Sequence, residues 1–84
     1  MALVSVIPTI EPDGGGFMLR VRTLDSVRVW RKWHESKENA IEDAGDIGLV
    51  EVETFGNAAR RTLKPVASIA IERLEQFGLR EAYP

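Results

Sequence analysis

The chain reads as a small α+β domain: a three- or four-stranded, mainly antiparallel sheet in β-β-β-α-β-α order, with two helices packed on its apolar face. Three observations point there. Residues 17–23 and 27–33 alternate in character like the strands of a hairpin, a run of three glycines precedes them, and two later stretches carry apolar residues at helical spacing before a glycine.

In the first element, residues 2–10, the even positions Ala2, Val4, Val6, Pro8 and Ile10 are apolar, which is a strand pattern. Pro8 has no amide hydrogen, so this strand is expected at a sheet edge. Pro12-Asp13-Gly14-Gly15-Gly16 supplies turn chemistry. If a three-residue loop, 24–26, then joins the next two strands, Val21 faces Val29 and Phe17 faces Trp33. One face collects Phe17, Leu19, Val21, Val27, Val29 and Trp33, with Arg31 as its one charge. The other collects Met18, Arg20, Arg22, Arg28, Trp30 and Lys32. Pairing Ile10 with Phe17 adds Ile7 beside Arg20. A register slip of one residue would invert these faces.

Ser36 suits the cap of a first helix, with Glu38 against its positive end. Ala40, Ile41, Ala44 and Ile47 form the stripe, Gly48 ends it, and Leu49 folds back on Ala44. Residues 49–54 suit a short strand, parallel to the third by a right-handed crossover. Asn57 suits the cap of a turn over residues 58–63, and Pro65 the first turn of a last helix. That helix presents Val66, Ile69, Ala70, Leu74 and Phe77, stops at Gly78, and brings Leu79 back on Leu74. The two helices resemble each other at an offset of 30 residues, which reflects shared helix-ending chemistry. The expected core is Val4, Val6, Leu19, Val21, Val29, Ile41, Ala44, Ile69, Leu74 and Phe77.

With 84 residues, 44% of them hydrophobic and 29% charged, the chain is expected to be one domain, residues 1–84, at a size where association often adds stability. The absence of cysteine removes disulfides, thiolate metal sites and thiol nucleophiles. No stretch approaches the roughly 20 apolar residues needed to span a bilayer. The expectation is a cytoplasmic protein without a membrane partner. Residues 1–34 hold five Lys/Arg against three Asp/Glu, residues 35–54 one against seven, and residues 55–84 five against three. The net charge of −2 thus divides into blocks of +2, −6 and +2.

No combination of residues forms a nucleophile, base or metal motif, so neither an enzyme nor a cofactor is expected. His34 stands alone at a strand end, with an ordinary surface role expected, and the glycine run lacks the lysine and hydroxyl of a phosphate loop. The acidic stripe Glu35, Glu38, Glu42 and Asp46 lacks calcium-loop spacing and reads as a solvated or partner-facing side. What remains is docking. Ile7, Met18, Arg20, Arg22, Arg28, Trp30 and Lys32 make a basic, tryptophan-bearing face, which Glu38 and Glu42 of another copy would complement. A protein partner or a homodimer, most simply a two-fold one, is expected. Single-stranded nucleic acid stacking on Trp30 is the alternative.

The order strand, strand, strand, helix, strand, with glycines before the second strand and Ser36 to Ala44 opening the helix, resembles the small HicB-type antitoxin domain over about residues 2–54. Leu24-Asp25-Ser26 stands where that family usually carries a Pro-Gly segment. The resemblance implies a non-catalytic, regulatory protein-binding module.

Overall fold

The computed structural model describes residues 3–55 and 58–82, with the backbone alone for residues 52–55 and 58–60. Among the described residues, seven strands and two helices form a small α+β fold. They are β1 (Leu3–Asp13), β2 (Gly16–Thr23), β3 (Val29–His34), α1 (Lys37–Ile47), β4 (Val50–Phe55), β5 (Ala58–Leu63), β6 (Ala67–Ala70), α2 (Ile71–Gln76) and β7 (Arg80–Ala82). Five strands make an antiparallel sheet in the order β6-β1-β2-β3-β7, and β4 and β5 pair as a separate two-stranded sheet.

The glycine run does what its chemistry requires. Gly14 and Gly15 take φ of 55° and 87°, the positive values of a two-residue hairpin turn closed by Asp13 opposite Gly16. Gly16 has a different constraint: a Cβ there would overlap the Trp33 ring and the His34 carbonyl. Ile10 consequently pairs with Leu19, not Phe17, and Ile7 with Arg22. This shift of two residues preserves the face of every β1 side chain.

The β2–β3 register differs from the expected one by a single residue, and that difference matters more. Residues 24–27 form a four-residue loop: the Thr23 N–H donates to the Arg28 carbonyl at 3.0 Å, and the Arg28 N–H to the Thr23 hydroxyl at 3.2 Å. Asp25 organises it, accepting from the Thr23 hydroxyl at 2.6 Å and the Val27 N–H at 3.1 Å, while Ser26 adopts φ of 60°. Val21 therefore faces Trp30, Leu19 faces Lys32 and Arg20 faces Arg31. Trp30, expected outside, is 0% exposed in the core; Trp33, expected inside, is 46% exposed. Val29 moves to the opposite face, and Val27 lies exposed in the loop.

Local chemistry places α1 as expected. The Ser36 hydroxyl accepts from the Asn39 N–H at 3.1 Å, and Gly48, at φ 105°, ends the helix in the left-handed region. The Leu49 N–H returns to the Ala44 carbonyl at 2.8 Å. At the end of α2 the Leu79 N–H likewise returns to the Leu74 carbonyl at 3.1 Å, with Gly78 at φ 87°. The two helices share this ending, as the offset-30 similarity suggests.

Four other expectations are corrected. β1 is not an edge strand, because β6 pairs along its first residues; continuing that register would set Pro8 opposite Pro65, two residues without an amide hydrogen, and pairing stops at Val6–Ala67. β4 does not run parallel to β3, which is already flanked by β2 and β7; it pairs antiparallel with β5, a nearby partner with little loop-closure cost. The segment expected as a turn is therefore strand β5, and Asn57 lies outside the described residues. The last helix begins at Ile71, not near Pro65, because residues 67–69 alternate with Ala67 and Ile69 inward and Ser68 outward, matching the pleat of β1.

Both helices lie on one side of the main sheet. Val6, Leu19, Val21, Trp30, Ala44, Ile47, Leu49, Ile69, Leu74 and Leu79 form the buried core, with Val4, Ile10, Val50, Leu63 and Phe77 packed against it. Ile41, expected in the core, is half-buried on α1. Arg73 of α2 joins the helices by donating to the carbonyls of Ile47 (2.8 Å) and Asp46 (2.9 Å), a cation placed at the negative end of α1. Among the described residues, no helix is long and apolar enough to cross a membrane.

Trp30→Ala removes the largest fully buried side chain. It is expected to cost about 3–5 kcal/mol in denaturant unfolding, a large part of the stability of so small a domain. Trp33→Ala is expected to cost less than half as much, and equal losses would place both rings in the core.

Candidate docking face

The helix-free face of the five-stranded sheet is built by alternation along β2 and β3. With Trp30, Lys32 and His34 turned toward the helices, Val29, Arg31 and Trp33 turn the other way, beside Met18, Arg20 and Arg22. Cross-strand pairing orders these side chains in rows. One row runs Thr9, Arg20, Arg31, Arg80 across β1, β2, β3 and β7. On one side of it lies the row Ile7, Arg22, Val29, Ala82, and on the other Glu11, Met18, Trp33.

The arginine row is electrostatically unusual. Arg20, Arg31 and Arg80 occupy directly opposed positions on successive strands, an arrangement in which like charges repel. With neighbouring strands about 4.8 Å apart, the three side chains rise from a line roughly 10 Å long. Among the described residues no carboxylate forms an ion pair with Arg20, Arg22, Arg31 or Arg80. The Arg20 Nε and the Thr9 Oγ1 opposite it are buried without a hydrogen-bond partner among the described residues. An unmet buried donor ordinarily costs about 1–3 kcal/mol, so an acceptor brought to this row would be stabilised.

Trp33 is fixed beside the row. Its Nε1 donates to the Asp13 carbonyl at 2.9 Å, and the ring lies against Gly16, where any side chain would displace it. A shallow depression lined by Met18, Arg31, Lys32, Trp33, Gly78, Arg80, Glu81 and Ala82 runs along β7 from this face toward the helix side. A held, half-exposed tryptophan among arginines is the composition of binding hot spots.

Of the residues expected to form the docking face, Ile7, Met18, Arg20 and Arg22 are together on it. Arg28, Trp30 and Lys32 are not, because the one-residue register change carries β3 over to the helix side. Arg28 stacks 4.7 Å from the Trp30 ring centroid as a cation-π partner and makes two 2.8 Å hydrogen bonds to Glu81. Hydrogen bonding from Arg28 holds the Glu81 carboxyl below its ordinary pKa. Glu38 and Glu42 are exposed on α1 and therefore lie on the opposite side of the sheet from the arginine row. Arg31, Trp33, Val29 and Arg80 replace the displaced residues. Their signal was in the sequence as Arg31, the one charge that the expected pairing left on the apolar face.

Lys32 and His34, both turned inward, are received by Asp43 of α1. Lys32 Nζ lies 2.6 Å and His34 Nε2 2.8 Å from the same Asp43 oxygen, Lys32 also donates to the Phe77 carbonyl at 3.0 Å, and His34 Nδ1 lies 3.1 Å from the Lys32 carbonyl. His34 is thus 7% exposed and inside a polar cluster, not on the surface. Burial acts to raise the Asp43 pKa, but the hydrogen bonds and charges of Lys32 and His34 outweigh it and leave the carboxyl below its ordinary value.

No protein-family model matches this chain, and neither a curated protein nor a solved structure matches it.

Because the Asp43 pKa is lower folded than unfolded, its stabilisation is present above the unfolded value, near 4, and is lost as pH falls through the folded value. Asp43→Asn is therefore expected to unfold more easily at pH 7 and to narrow its deficit against the parent as pH falls below about 4. Thermal unfolding across pH checks this, and a constant deficit would remove Asp43 from the acid response.

Proposed function

We propose that the chain is a non-catalytic protein-binding module whose open sheet face takes a partner bearing carboxylates. The observation that carries this reading is the row Arg20, Arg31, Arg80, without carboxylate partners among the described residues and flanked by the apolar groups Ile7, Val29, Met18 and Trp33. Charged groups between apolar ones suit a protein surface, where the charges set specificity and association rate and the apolar groups supply affinity. The resemblance of residues 2–54 to a HicB-type domain, in the order strand, strand, strand, helix, strand, points toward regulatory binding as well. His34, buried and engaged through both ring nitrogens, is poorly placed for acid-base work on a substrate.

Single-stranded nucleic acid is the second reading, favoured by Trp33 standing half-exposed beside the arginines. The two separate by their response to probe and salt. A fluorescent glutamate-rich peptide is expected to bind the parent, at least tenfold less tightly after Trp33→Ala, and unchanged after Lys37→Ala on the far side of the molecule. Fluorescence anisotropy against this peptide and an oligonucleotide of equal charge is the measurement. Tighter binding of the oligonucleotide, with an affinity that collapses as salt rises, would transfer the face to nucleic acid.

A further inference from the structure

We infer that the occupant of the open face is helix α1 of a second copy of this chain, stacked head to tail. This rests on the docking reading above and identifies the partner. The acidic counterpart of the arginine row is on the same chain: Glu38, Glu42 and Asp46 are exposed on α1 at four-residue intervals. On a helix that spacing sets carboxylates about 6 Å apart along one side, so the three span roughly 12 Å. The three arginines rise from strands about 4.8 Å apart, and long guanidinium side chains cover the difference. An α1 laid across the strands, along the row, meets each arginine with one carboxylate.

Geometry decides the symmetry. α1 packs on the core side of the sheet and turns its acidic residues outward, whereas the arginine row lies on the other side. One neighbour cannot touch both through a single contact, so the reciprocal two-fold pair is excluded for this mode. Each copy instead offers its helix to the copy below and its sheet to the copy above, a heterologous contact that extends into a stack or closes into a ring. A face-to-face dimer would set arginine rows against each other and is disfavoured by the same charges.

The test uses two variants at positions exposed in the monomer. Arg31→Gln/Arg80→Gln disables the sheet side and Glu38→Gln/Glu42→Gln the helix side, with circular dichroism verifying that each folds. By velocity sedimentation at low salt, the parent is expected to grow beyond dimer with concentration and to dissociate as salt screens the contact. Each variant alone is expected to remain monomeric. Their equimolar mixture is expected to form a discrete one-to-one complex, because one intact sheet and one intact helix are left and neither can extend. A parent that stays monomeric at every concentration overturns the inference. So does self-association of the helix-side variant alone, which would mean sheet-to-sheet contact. If the parent is monomeric yet binds the glutamate-rich peptide, docking stands and only the self-partner falls; if it binds neither, both fall.

Discussion

The pairing of Val21 with Trp30 is the contact on which the rest of the structure depends. Because side chains alternate across a strand, one hairpin loop decides which three of the six β3 residues meet the helices. Asp25, through the Thr23 hydroxyl and the Val27 amide, holds that loop at four residues, and the choice falls on Trp30, Lys32 and His34. Trp30 then fills the space between sheet and helices, while Arg31 and Trp33 turn to the open side. The core and the candidate docking face are two consequences of one register.

Each basic side chain that this register brings to the helix side has a defined oxygen partner. Lys32 has Asp43 and the Phe77 carbonyl, His34 has Asp43, and Arg28 at the β3 entrance has Glu81. These links tie β3 to α1 and to the turn before β7, so polar groups at the margin of the core also specify how the layers dock. Arg73 does the same between α2 and the end of α1. The open face has the opposite character. Its arginines are aligned and have no ion-pair partner among the described residues, an arrangement that is costly in isolation.

The distribution of charge along the chain thereby becomes a distribution in space. The acidic middle third supplies Glu38, Glu42 and Asp46 on the outer side of α1, and β2, β3 and β7 supply the arginine row on the outer side of the sheet, so these two clusters lie on opposite sides of a two-layer fold. Such polarity favours head-to-tail contact over a self-complementary patch. It also explains how a chain with a net charge of only −2 presents a strongly basic surface.

Local chemistry was readable from the sequence wherever one residue type answers a backbone requirement. Ser36 and Gly48 bound α1, Gly14-Gly15 turn β1 into β2, and Gly78 with Leu79 closes α2, because capping and positive φ restrict the choice of residue. Alternation also placed Ile7, Met18, Arg20 and Arg22 on one face. Whether β3 joined them through Arg28, Trp30 and Lys32 or through Val29, Arg31 and Trp33 turned on a one-residue difference in loop length, and each option carries one tryptophan and leaves one cation facing the core. Only the tertiary structure decided it, because Asp43 and the Phe77 carbonyl, distant in sequence, are placed to receive Lys32. The same holds for β6 and β7. Strands of four and three residues have too little pattern to declare themselves and form because the edges of β1 and β3 offer backbone groups that need partners.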